Sequence, residues 1–132
     1  MEYIKAEIGD SEMYIPVNDR LGEMILIADR RLNYQKHIAR MRNAYKGRIE
    51  YNRVAMTSDY FYALEDVMEE KGYFGVFHHQ FEKFSMEQRK ILYDLFRDDK
   101  SIRYLTAVCG YEEEQVLKTI REFFESLKKI IF

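Results

Sequence analysis

Residues that break helices are scarce in this chain, which has one proline and six glycines among 132 residues. Leucine, methionine, glutamate, lysine and arginine, which favour helices, are plentiful. The composition, with 47% hydrophobic and 33% charged side chains, excludes a disordered tail, a fibre or a transmembrane bundle. The sequence therefore predicts a mainly α fold, built as one domain or as two small halves.

Residues 12–17 form the one predicted extended segment. Tyr14, Ile15 and Val17 favour a strand. Pro16 cannot donate a ladder hydrogen bond, so we expect an edge strand or a lead-in segment.

A long N-terminal helix is predicted from about Arg20 to Lys46, capped by Asn18 or Asp19 and closed by Gly47. Its apolar stripe recurs at spacings of three and four residues and suits a packed helix or a short coiled coil. The positions of the stripe are Met24, Ile27, Arg31, Tyr34, Ile38, Met41 and Tyr45, and Arg31 interrupts it, which weakens the coiled-coil interpretation. A homodimer through this stripe and packing of the stripe on the C-terminal part are both compatible with the pattern. A second helix, capped by Thr57 or Ser58, completes a predicted N-terminal region over residues 1–75.

The C-terminal region, residues 76–132, carries the strongest local signals. Ser85 and Gln88 have the spacing of a capping box, which predicts a helix to about Phe96. Ser101 can cap a short helix that ends at Gly110, and the last helix then runs from Glu112. Its predicted apolar stripe is Val116, Ile120, Phe123 and Leu127.

A short helix, a glycine corner and a longer helix form the layout of a helix-turn-helix unit. Residues 81–129 also resemble the fourth conserved region of bacterial sigma factors and the sigma-like regulators of phages and mobile elements. The resemblance rests on Phe81 and Phe84, on the pattern Arg-x-Ile-Leu that begins at Arg89, and on the segment DDKSIRYLTAVCGYEEEQVLKTIREFFESLKK. Upstream, YIPVNDRLGEMILIADRRLNYQKHIARMRNAY resembles the extended start and arginine-rich helix of the same proteins.

This resemblance implies a sigma-region-four-like helix-turn-helix and a DNA-binding transcription regulator that needs no cofactor. The last helix would lie in the major groove of double-stranded DNA, where Gln115, Lys118 and Arg121 would be its contacts. Arg103 would contact a backbone phosphate. Accessory phosphate contacts would come from the basic segment, at Arg40, Arg42, Lys46 and Arg48.

Charge patterning leaves a second hypothesis open. The net charge of −2 argues against DNA binding through bulk positive charge, although residues 30–53 hold eight basic residues and one acid. Residues 59–71 hold five acids and one lysine, and the two segments can neutralise each other across a helix pair. Glu112, Glu113 and Glu114 begin the predicted recognition helix, where carboxylates repel phosphates. They favour a protein-interaction module that binds RNA polymerase or another host complex and has little DNA affinity.

Other classes find little support in the sequence. There is no glycine-rich phosphate loop, no metal-ligand spacing and no nucleophile with a partner base. His78 and His79 are adjacent, so they do not converge on a helix, and Cys109 is the single cysteine. We therefore expect no enzyme, no catalytic residue and no metal. The aliphatic run from Met24 to Ala28 is too short for a signal peptide or a membrane span, so we expect a cytoplasmic protein.

Overall fold

The computed structural model describes residues 2–9, 11–32 and 53–131. Within these ranges the chain forms three strands and six helices. In chain order they are β1 (Tyr3–Ile8), β2 (Ser11–Pro16), α1 (Asp19–Leu32), β3 (Arg53–Ala55), α2 (Ser58–Glu70), α3 (Val76–Glu82), α4 (Met86–Phe96), α5 (Ile102–Ala107) and α6 (Glu113–Ile130).

The predicted fold class, mainly α with a long N-terminal helix, is wrong. Strands come first, and helices are combined with a three-stranded mixed sheet. The first helix begins at Asp19 and is described as far as Leu32, while the rest of its predicted span lies outside the described residues. The reason is local: side chains of residues 3–8 alternate between exposed or half-buried and buried positions, the period of a strand. Gly9 then has a φ of 61°, a backbone conformation that suits a tight turn.

The sheet has the strand order β2-β1-β3. β1 and β2 are antiparallel, with Tyr3 opposite Pro16 and Ile8 opposite Ser11, whereas β3 is parallel to β1. The predicted extended segment is confirmed, because β2 is an edge strand. One face of the sheet is buried against the helices, through Ile4, Ala6, Ile8, Met13 and Ile15.

Asn18 joins the first helix to the last. Its side-chain Oδ1 accepts a hydrogen bond from the Leu21 backbone N–H at 2.8 Å, which confirms it as a helix cap. Its Nδ2 donates to the carbonyl oxygen of Lys128 at 3.1 Å and to that of Ile131. The start of α1 is therefore held against the end of α6.

The buried face of α1 differs in phase from the predicted stripe. Of the predicted positions within the described helix, Met24 is buried, Ile27 is half-buried and Arg31 is exposed. The helix instead packs along α2 through Leu21, Gly22, Met24, Ile25 and Ala28. The predicted stripe therefore does not coincide with the face that the described part of α1 buries.

Local signals in the C-terminal region are confirmed. The Ser85 hydroxyl accepts from the Gln88 backbone N–H at 3.2 Å, and the Gln88 side chain accepts from the Ser85 backbone N–H at 3.3 Å. These two bonds form the predicted capping box. Ser101 caps α5 by accepting from the Tyr104 backbone N–H at 2.9 Å.

Aromatic rings join the N-terminal and C-terminal regions in one core. Phe61 of α2 stacks on Phe96 of α4, and Phe123 of α6 lies 5.1 Å from both Phe77 and Phe81 between ring centroids. All five rings are buried. Offset and edge-to-face ring contacts add to the stabilisation from burial, so this cluster fixes how α6 is oriented.

The buried phenol of Tyr60 predicts a measurable pH dependence. Its hydroxyl donates to the Ile25 carbonyl oxygen at 3.1 Å, and burial, assisted by the charge of Asp29, raises its pKa well above the ordinary 10.0. Tyr60→Phe should lower the free energy of unfolding by about 1 kcal/mol at neutral pH. Above pH 10 this difference should shrink, because the unfolded chain ionises its phenol while the folded chain keeps the proton.

Urea unfolding from pH 8 to pH 11 on the two proteins measures this difference. Tyr14→Phe, at an exposed position, is the matched control and should show no such change with pH. A difference for Tyr60→Phe that stays constant through this range would contradict the role of burial.

Candidate nucleic-acid interface

The corner before the last helix forms where the sequence predicts it. Gly110 has a φ of 78°, in the left-handed region that favours glycine. The Tyr111 backbone N–H donates to the Leu105 carbonyl at 3.1 Å, which closes the turn after α5. The bend at Gly110 is therefore confirmed, and α6 begins two residues after Tyr111.

α6 is held by its buried face and presents the opposite face to solvent. The predicted stripe is confirmed, because Val116, Ile120, Phe123 and Leu127 are all buried. The helix packs on β2, α3, α4 and α5. Glu114, Lys118 and Arg121, spaced three and four residues apart, are exposed on the outward face.

Lys118 and Arg121 are available to a ligand. The nearest carboxylate oxygen to Lys118 Nζ is that of Glu122 at 4.0 Å, a weak pair within one helix. Arg121 makes no ion pair with any residue that the structure describes. Together with Glu113, Glu114 and Leu117, these two cations line a shallow depression of about 510 Å³.

Arg103 lies beside the same helix terminus. It is exposed on α5 and lines a second depression, of about 290 Å³, with Ser11, Thr106 and Glu113 among its neighbours. Because Glu113 lines both depressions, the depression that contains Arg103 adjoins the one that contains Lys118 and Arg121.

Gln115 lines neither of these depressions. Its Nε2 donates to the Glu87 carboxylate of α4 at 3.3 Å, and a second bond, from Gln88 Nε2 to the Glu122 carboxylate at 2.9 Å, joins the same two helices. Gln115 is therefore engaged with a neighbouring helix. The other predicted contacts, Arg40, Arg42, Lys46 and Arg48, lie outside the described residues.

The acids at the start of α6 have a structural role that the sequence alone does not reveal. Glu113 accepts a hydrogen bond from Ser11 Oγ at 3.2 Å, which ties the β1–β2 hairpin to α6. Glu113 and Glu114 lie in the first helical turn, where the positive end of the helix dipole favours carboxylates. The hairpin could have been predicted from the alternation of residues 3–8 and from Gly9, but its contact with Glu113 could not.

The chain was compared with known proteins, and no family model, curated protein or solved structure matches it. Across residues 2–9, 11–32 and 53–131, no cluster of histidine, cysteine and acidic side chains is arranged to hold a metal ion. None of the described helices is long and apolar enough to cross a membrane.

Proposed function

We propose that this protein is a sigma-like transcription regulator of a phage or mobile element that binds double-stranded DNA in the cytoplasm. One observation carries the proposal: Lys118 and Arg121 are exposed one turn apart on the outward face of a helix whose other face is buried. Cations at such positions bind phosphates, which supply most of the affinity of DNA-binding proteins. Arg103, on the helix before the bend, adds a third cation.

The shape of the region supports docking through the outward face of α6. The helix has 18 residues and is about 27 Å long, and the major groove of DNA admits an α-helix. The hairpin contacts one side of its N-terminus through Ser11, and α4 contacts another through Glu87. Lys118 and Arg121 project from the side that remains open, so we assign them and Arg103 to phosphates. Gln115 would have to leave Glu87 before it could contact a base.

A salt series on matched variants tests the proposal. The double variant Lys118→Gln, Arg121→Gln should bind a fluorescein-labelled 30-base-pair duplex about tenfold or more weakly than the unaltered protein, as measured by fluorescence anisotropy. The slope of log affinity against log salt should decrease by about two, roughly one for each phosphate that the variant no longer binds. The control, Lys71→Gln with Lys83→Gln, removes the same charge from exposed positions elsewhere and should bind as the unaltered protein does. Equal reductions in both variants would contradict the assignment to α6.

A second candidate function is a protein-interaction module that binds RNA polymerase or another host complex. The observations that favour it are the exposed acids Glu112, Glu113 and Glu114 and two exposed apolar side chains, Met86 of α4 and Val108 after α5, two helices that both pack on α6. Such a surface suits a protein partner better than a phosphate backbone. Retention on immobilised RNA polymerase, without salt-dependent binding to the duplex, would favour this candidate over the first.

A further inference from the structure

A groove lies beside the last described residues of α1 and along α2, and none of the residues that line it belongs to α6. Its volume is about 560 Å³. Its walls combine apolar side chains with carboxylates. The lining residues are Arg31, Leu32, Ala63, Asp66, Glu69, Glu70 and Phe74.

The apolar part of the groove is unusually open to solvent. Phe74 is 77% exposed and Leu32 is 41% exposed, and both line the groove beside Ala63. Single exposed apolar side chains are ordinary on protein surfaces. Two large ones that share a groove with charged walls are typical of a surface that binds another protein.

The charged part of the groove is strongly negative. Arg31 is the only cation among the described lining residues, and its Nη2 lies 2.7 Å from the Glu70 carboxylate. The hydrogen bond from Arg31 lowers the pKa of Glu70. The Arg31–Glu70 pair therefore stays ionised, and its two charges offset each other. Asp66 and Glu69 are exposed beside it and leave the groove with a net negative charge.

Helix polarity increases this negative potential. Asp66 and Glu69 lie in the C-terminal part of α2, where the helix dipole places its negative end. Cations are the usual side chains at such an end, and Lys71 at the C-cap and Arg31 of α1 supply them here, but neither forms an ion pair with Asp66 or Glu69 within the described residues.

We propose that this groove binds a cationic amphipathic segment of a partner protein. A large apolar side chain of the segment would lie between Leu32 and Phe74, and its lysine or arginine side chains would pair with Asp66 and Glu69. An arginine could also stack on the exposed Phe74 ring. The carboxylates would repel a nucleic acid, so this surface is separate from the one proposed for DNA and does not depend on it.

An NMR titration of the full-length, ¹⁵N-labelled chain tests this proposal. The probe is a 14-residue helical peptide of leucine, lysine and arginine with leucine on one face, capped at both ends. Its matched counterpart has glutamate in place of every basic residue. We expect the basic peptide to shift the amide signals of the groove residues and the acidic peptide to shift none of them.

Two variants with matched controls locate the binding. Asp66→Asn with Glu69→Gln, and separately Phe74→Ser, should each raise the dissociation constant of the basic peptide about tenfold. Glu2→Gln with Glu82→Gln removes the same charge elsewhere, and Tyr14→Ser removes another exposed ring, and neither should change the affinity. All these positions are exposed, so the variants should fold.

Two results would overturn the proposal. One is binding of the basic peptide that neither groove variant weakens, or no binding at all. The other concerns the triple variant Lys36→Gln, Arg40→Gln, Arg42→Gln. If the basic peptide bound to this variant and not to the unaltered protein, the groove would be occupied by basic residues of the same chain.

Discussion

Phe123→Ala should lower the free energy of unfolding by about 3–5 kcal/mol, a large part of the stability of a domain this size. Phe123 is fully buried, and its ring centroid lies 5.1 Å from those of Phe77 and Phe81 and 5.4 Å from that of Phe96. Truncation removes ring packing on several sides at once. The neighbouring rings are stiff and are held by two other helices, α3 and α4, so they cannot close the cavity.

Chemical denaturation followed by circular dichroism measures this change. Phe74→Ala is the matched control, because the same truncation at a position that is 77% exposed should change stability by less than about 0.5 kcal/mol. Similar values for the two variants would show that Phe123 is not packed as described. The result bears on function too, because this buried face of α6 fixes where Lys118 and Arg121 point.

The parts of the fold that the sequence predicted depend on residues close together in the chain. The capping box at Ser85, the cap at Ser101 and the bend at Gly110 each form within a few residues, and the stripe of α6 repeats within one helix. β1 was missed although its alternation and Gly9 are local signals, whereas β3 was missed because its pairing is not local. β3 has three residues and pairs with β1 from almost fifty positions away, so no local pattern announces it.

The candidate site also has features that the local sequence predicts and features that it does not. Exposure of Lys118 and Arg121 follows from helical phase once the buried stripe is known. The engagement of Gln115 with Glu87 depends on how two helices pack, and the bond from Ser11 to Glu113 joins residues 102 positions apart. Such contacts arise only when the whole fold is assembled, and they decide which predicted side chains stay available to DNA.

A charged cluster that the sequence did not reveal lies beside the aromatic core. The Glu65 carboxylate accepts a hydrogen bond from Arg97 Nη2 and pairs with His78 Nε2, each at 2.8 Å. The side chains of Glu65 and Arg97 are only 15% and 11% exposed. The Arg97 guanidinium also lies over three rings, at 4.7, 5.4 and 5.9 Å from their centroids: Tyr62, Phe77 and Phe81. In the sequence, Glu65 is one of the five acids of residues 59–71, and no local pattern distinguishes it from the others.

Glu65→Ala should therefore lower the free energy of unfolding by about 2–3 kcal/mol, because it leaves the mostly buried Arg97 without its carboxylate. Arg97 Nη1 already has no hydrogen-bond partner, so little remains to compensate. Glu70→Ala, which removes the partner of the exposed Arg31, should change stability no more than an ordinary surface substitution. Glu65→Leu combined with Arg97→Met should recover most of the stability, since an apolar pair needs no counter-charge. Urea unfolding of the unaltered protein and the three variants at one pH measures these differences. Equal destabilisation by Glu65→Ala and Glu70→Ala would mean that solvent screens the Glu65–Arg97 pair as fully as the exposed Glu70–Arg31 pair.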